Sequence, residues 1–159
     1  MNLRNVVIVD GVRSPFARAA RGKLVATRLD DVGATVIRAL LDRNPKVEDH
    51  MIDDVGLGNV LGKGEFVDWG IIVRLAGLPV EVPTFNSNRQ CGSSMEVVHR
   101  VAQSIMVGAT DCGIALGAER MLRRVSGDAG PFTRITKPII PLELTPEQMS
   151  LSPDHYDNF

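Results

Sequence analysis

The chain has 159 residues, enough for one domain with a sizeable core. Its 18 Lys and Arg against 19 Asp and Glu leave a net charge of −1, which excludes the basic footprint of a nucleic-acid binder and gives no pull toward an anionic membrane surface. Two cysteines are too few for a disulfide framework and point to a reducing compartment, and no apolar run is long enough to span a bilayer.

In chain order, Val6–Val9 is an unbroken β-branched run, the pattern of a strand buried on both faces. It starts within a few residues of Met1, which leaves no room for a signal or transit peptide, so the expected location is cytoplasmic. Gly11 to Lys23, rich in Arg, Gly and Ala and containing Pro15, reads as a loop. Leu29 to Leu41 carries apolar residues at 29, 32, 36, 37, 40 and 41, which is helical spacing. Asp30 and Asp31 fall in the first turn of that helix, where negative charge is favourable, and Asn44-Pro45 stops it. Val55 to Leu61 reads as a second strand, Phe66 to Leu75 as a second helix ended by Gly77 and Pro79, and Val82 to Asn86 as a third strand. A third helix runs from Ser93 to Val107 and a fourth strand from Cys112 to Leu116. Strands alternating with helices imply a mostly parallel sheet with helices on both faces.

Gly56, Gly58 and Gly62 come close to a dinucleotide fingerprint. The strand would run through these glycines instead of ending before them, so close backbone approach is the better reading. On the third helix, Met95, Val97, Val98, Val101, Ala102, Ile105 and Met106 cover about half the circumference at 100° per residue. One sheet needs a narrower stripe, so a second body is expected against this helix.

Cys91 lies between the third strand and the third helix. At a helix N-terminus the unpaired backbone N–H groups favour an anion, and the thiolate is the nucleophilic form of cysteine. Cys91 is therefore a candidate nucleophile beside a site that could hold a developing oxyanion, although a lone cysteine is more commonly buried and inert. His99 is two turns further along, about 12 Å at 1.5 Å per residue, too far for direct proton transfer.

The stretch Asn88-Arg89-Gln90-Cys91-Gly92-Ser93-Ser94-Met95-Glu96 resembles the acyl-cysteine motif of the thiolases, the acetyl-CoA acyltransferases. Val6 to Phe16 is similar to that family's opening strand and Arg-Thr-Pro turn. Gly77-Leu78-Pro79 with Val82-Pro83, Met106 to Ala109, and Gly117-Ala118-Glu119-Arg120-Met121 follow in the family's order. The resemblance implies an α/β fold, a thiolase-like N-terminal domain over residues 1–121, with residues 122–159 as a remnant of the family's loop domain. A capping box at Thr145-Pro146-Glu147-Gln148 predicts a short helix in that remnant. The family's C-terminal half, with its Gly-His-Pro, Asn-Glu-Ala-Phe-like and Cys-x-Gly motifs, has no counterpart here. Cys112 does not match the family's second cysteine, and neither His50, His99 nor His155 precedes proline.

By that resemblance Cys91 is the acyl-carrying residue, acyl-CoA is the substrate, and no cofactor is needed beyond the coenzyme A thioester. The resemblance also implies a homodimer built through the strand before Cys91, a second subunit supplying the missing half, or both. The fourth strand would be an open edge unless a partner covers it. Glu119 is read as a structural hydrogen-bonding residue near the sheet end, Arg13 as fixing its loop, and Asn88 and Arg89 as fixing the turn and a dimer contact. Asn86-Ser87 and Val67-Asp68-Trp69 depart from the family pattern. Two other readings stand beside this one: a non-catalytic thiolase-like binding or assembly module, and a cysteine hydrolase with a strand-turn-helix elbow.

Overall fold

The computed structural model describes residues 3–18, 21–24, 26–60 and 69–119. The elements expected beyond Glu119, including the helix at Thr145, lie outside the described residues, as does the start of the second expected helix.

Helix α1 spans Leu29–Arg43, two residues past the periodic pattern, and the Asn44 N–H closes it onto the Leu41 carbonyl. A 3-10 turn, Asp49–Met51, leads to strand β1, Asp54–Gly58. Helix α2, Trp69–Leu75, is followed by strand β2, Thr84–Ser87. Helix α3, Ser93–Met106, and strand β3, Gly113–Gly117, complete the set. The sheet order is β2-β1-β3 and both pairings are parallel, as the alternation of strands and helices requires.

The two faces of the sheet differ in side-chain size. Alternation along β1 and β3 sends Val55, Leu57, Ile114 and Leu116 to one face, where they join Ala34, Ile37 and Leu41 of α1 and Ile71, Ile72 and Leu75 of α2 in one core. The opposite face carries Gly56, Gly58, Gly113 and Gly117. A methyl group on Gly56 would fall 2.6 Å from Cγ1 of Val97, and one on Gly113 would fall 2.8 Å from Cγ1 of Val101. Helix α3 therefore lies directly on a glycine-lined surface, with Val97 and Val101 buried against it. The Gly56-x-Gly58 pattern serves this close helix approach; the strand runs through it.

Two half-buried arginines hold the α-helical layer. The Arg38 guanidinium binds the Asp49 carboxylate through two bonds of 2.8 and 2.9 Å and reaches the Ala76 carbonyl. Arg74 donates to the carbonyls of Leu78, Pro79 and Val82, fixing the connection that delivers β2.

The first expected strand is corrected. Val6–Val9 forms no strand, and Val7, Ile8 and Val9 are 76, 85 and 72% exposed. The segment is held at its ends: the Arg4 N–H donates to the Met106 carbonyl at the end of α3, and Asp10 accepts from Asn44 after α1. A β-branched run becomes a strand only beside a ladder partner, and the described sheet puts none next to it. The wide stripe of α3 is also only half used. Val97 and Val101 are buried, whereas Met95 and Val98 are 61 and 38% exposed.

Candidate active site

The site is built at the carboxyl ends of the strands, where open parallel sheets place their ligands. Gly58 is level with Ser87 on one side and Gly117 on the other. The Asn59 N–H continues the ladder to the Ser87 carbonyl, and the Ala118 N–H continues it to Gly58. Beyond Ser87 the chain turns through residues 88–92 and enters α3. Cys91 sits on that turn and is exposed.

The turn is tightly bonded. The Gly92 N–H donates to the Arg89 carbonyl and the Ser93 N–H to the Gln90 carbonyl, both at 3.1 Å. The Ser93 hydroxyl accepts the Arg89 N–H at 2.9 Å and donates to the Gln90 carbonyl at 2.6 Å. Between these bonds Gln90 adopts φ +53°, the only positive φ of a non-glycine residue among those described. The Asn88 side chain accepts the Gln90 N–H and donates to the Val60 carbonyl, which is the turn-fixing role expected of it. Arg89 pairs with Glu96, as does Arg100, which also stacks over Phe85 of β2. The hydrogen bond from Arg89, then that from Arg100, holds the Glu96 carboxyl below its ordinary range.

Helix α3 is pressed onto the sheet at its first turn. A methyl group on Gly58 would meet the Ser94 backbone nitrogen at 2.4 Å, and one on Gly117 would overlap the Ser94 side chain. Glu119 closes the strand end: its carboxylate accepts from Asn59 at 3.1 Å and from the Val60 N–H at 2.8 Å, the structural role expected of it. Arg13 donates to the Ser14 carbonyl and stacks on Phe16, a local loop contact away from the turn.

The other sulfur and imidazole groups are elsewhere. Cys112 precedes β3 and lies at the opposite, amino end of the sheet, about 13–17 Å away along a five-residue strand. Burial, and then the adjacent Asp53 carboxylate, push its thiol up. His99 is exposed on α3, and His50 belongs to the 3-10 turn beside Glu48. Among the described residues no group of three or more His, Cys, Asp or Glu is placed to hold a metal ion, and no helix is long and apolar enough to cross a membrane.

Sequence reasoning located Cys91 and its helix but missed two features of the support. Gly58 was legible only as part of a glycine pattern, and nothing in the sequence paired it with Gly117. The left-handed Gln90 had no signal, because glutamine carries no preference for that conformation.

Comparison with known proteins adds an independent line. Residues 6–137 match the profile of the family described as "Thiolase, N-terminal domain". A beta-ketoadipyl-CoA thiolase of Acinetobacter baylyi is 43% identical over 140 residues, covering 85% of this chain and 35% of that protein. A 3-ketoacyl-CoA thiolase of Saccharophagus degradans is 42% identical over 121 residues, covering 74% and 31%. The crystal structure of the Bacillus anthracis acetyl-CoA acetyltransferase superposes with a TM-score of 0.68 at 28% identity, over 73% of this chain and 29% of that one. The chain spans about a third of the length of the curated relatives it matches.

Proposed function

This chain belongs to the thiolase family, as an N-terminal domain, and from that premise we propose that it is the nucleophile-bearing half of an acyl-CoA acyltransferase. Cys91 is the nucleophile. Its thiolate attacks the thioester carbonyl of acyl-CoA, the bond from that carbon to the coenzyme A sulfur breaks, and the acyl group remains on Cys91 as a new thioester. Coenzyme A leaves as a thiolate that takes up a proton. The acyl group then passes to coenzyme A or to the carbanion of an acetyl-CoA, which requires a base to remove its proton. The observation that carries this reading is the exposed Cys91 on the strand-to-helix turn, inside the region matched by the family profile.

The base is the missing part. Among the described residues, neither His50, His99 nor Cys112 lies on the turn that holds Cys91. In this reading the base and the second cysteine come from a second subunit carrying the C-terminal thiolase half, and the working species is a cytoplasmic oligomer that binds acyl-CoA and takes no cofactor beyond its coenzyme A thioester. The same observation favours one alternative, a non-catalytic thiolase-like module or a truncated fragment that keeps the fold without turnover.

Mass analysis after incubation with acetyl-CoA tests the nucleophile. The expected result is an acetyl group on the peptide containing Cys91, absent in Cys91→Ala. An unmodified Cys91, or a Cys91 that reacts more slowly than Cys112 with limiting iodoacetamide, overturns the reading.

A further inference from the structure

We propose that Ser93 is the positioning residue for Cys91, its hydroxyl holding Gln90 in the left-handed conformation that turns the thiol outward. The inference rests on the reading of Cys91 as the nucleophile, and it adds a role for a residue that touches no substrate.

Three observations carry it. Ser93 is 3% exposed although it opens a helix, so its hydroxyl faces the protein. That hydroxyl has both bonds it needs inside one turn, from the Arg89 N–H at 2.9 Å and to the Gln90 carbonyl at 2.6 Å. The residue enclosed by the two bonds is Gln90, at φ +53°, directly before Cys91. Holding a non-glycine residue left-handed costs about as much as one well-made hydrogen bond contributes. The Ser93 bonds are therefore of the right size to decide which conformation Gln90 takes. Were Gln90 to relax to negative φ, the peptide plane before Cys91 would rotate and carry the thiol away from the first turn of α3. The seat of that turn does not adapt, because Gly58 and Gly117 already leave the Ser94 backbone and side chain no spare room.

The test uses the full chain and the ratio of iodoacetamide labelling at Cys91 to that at Cys112, which serves as an internal reference at the far end of the sheet. Ser93→Ala should lower the ratio about tenfold, the effect of a shift of one factor of ten in the population of the competent turn. Ser93→Thr, which keeps the hydroxyl, should stay within about threefold of the wild type. Adding Gln90→Gly to Ser93→Ala should restore the ratio, because glycine adopts positive φ without cost. A merely structural serine would not respond to that second substitution. An unchanged ratio in Ser93→Ala, or no recovery in the double variant, overturns the proposal. Should Ser93→Ala alone not fold, the folded double variant with wild-type labelling supports the proposal, and a double variant that also fails to fold overturns it. These outcomes are separate from the functional reading: an altered ratio with no acetylated Cys91 in the wild type keeps the positioning role and removes the acyl transfer.

Discussion

Gly58→Ala tests the seating of the whole site. The added methyl would fall 2.4 Å from the Ser94 nitrogen and 2.6 Å from both the Ser93 carbonyl carbon and the Ser94 Cα. These are backbone atoms at the first turn of α3, so no side-chain rotation relieves the overlap. The helix end must move away from β1 by roughly 1 Å before ordinary contact is regained. Overpacking of this kind costs ~1–3 kcal/mol, whereas the reduced freedom of the unfolded chain returns only ~0.4–1 kcal/mol. The net effect is destabilising, and each 1 kcal/mol lowers Tm by roughly 2–4 °C for a chain of this size. A displacement of about 1 Å at the nucleophile can also cost ~100-fold in rate, so Cys91 labelling should change along with stability. Urea unfolding and iodoacetamide mapping on one preparation read both. Gly11→Ala is the control, since nothing lies within 4 Å of its added methyl, and it should stay within ~0.5 kcal/mol of the wild type. Gly117→Ala separates the two contacts. Its methyl meets the Ser94 side chain, so Ser94→Ala should partly rescue Gly117→Ala and leave Gly58→Ala unrelieved. A Gly58→Ala protein with wild-type stability and wild-type Cys91 labelling would refute the close seating of α3 on the sheet.

Ile37→Ala, at a position 1% exposed in the core between α1 and the sheet, should cost ~2–5 kcal/mol by denaturant unfolding. Asp53 accepts the N–H groups of Asp111 and Cys112, which hold its carboxyl below the ordinary range. Because its folded value is depressed, the stability it contributes is present above the unfolded carboxylate value of ~3.9 and is lost as pH falls through the folded value. Asp53→Asn should therefore be less stable than the wild type at pH 7, with the gap closing below about pH 4; an equal gap at pH 2 would contradict that assignment. The exposed Val7, Ile8, Met95 and Val98 should make the isolated chain bind a hydrophobic dye or self-associate, and a dye-free monomer in sedimentation equilibrium at micromolar concentration would argue against an uncovered seat. On the proposed reading the isolated chain should not turn over acetoacetyl-CoA with coenzyme A, since no described residue beside Cys91 serves as its base and losing a general base typically costs about 10²–10⁴-fold; a normal rate abolished by Cys91→Ala would disprove that reading.

Local chemistry was enough to determine most of the elements and to single out the turn that carries Cys91. The helical spacing in Leu29 to Leu41, the Asn44-Pro45 stop and the alternation of strands with helices all depend on neighbours a few residues apart, and α1, β1, α2, β2, α3 and β3 follow them. Cys91 at a strand-to-helix junction is likewise a statement about adjacent residues. Tertiary structure decided three things that such patterns do not carry. It left Val6–Val9 outside the sheet, because β-branched residues form a strand only where another strand offers a ladder. It divided the apolar stripe of α3 into a buried part, Val97 and Val101, and an exposed part, Met95 and Val98, because the glycine-lined face of a three-stranded sheet is narrower than the stripe. It also placed Gln90 in the left-handed region, uncommon for a non-glycine residue, in a turn that enters α3 where the helix is seated on the distant Gly58 and Gly117. In each case the deciding neighbour, present or missing, would come from a segment distant in the chain, which a short sequence window does not contain.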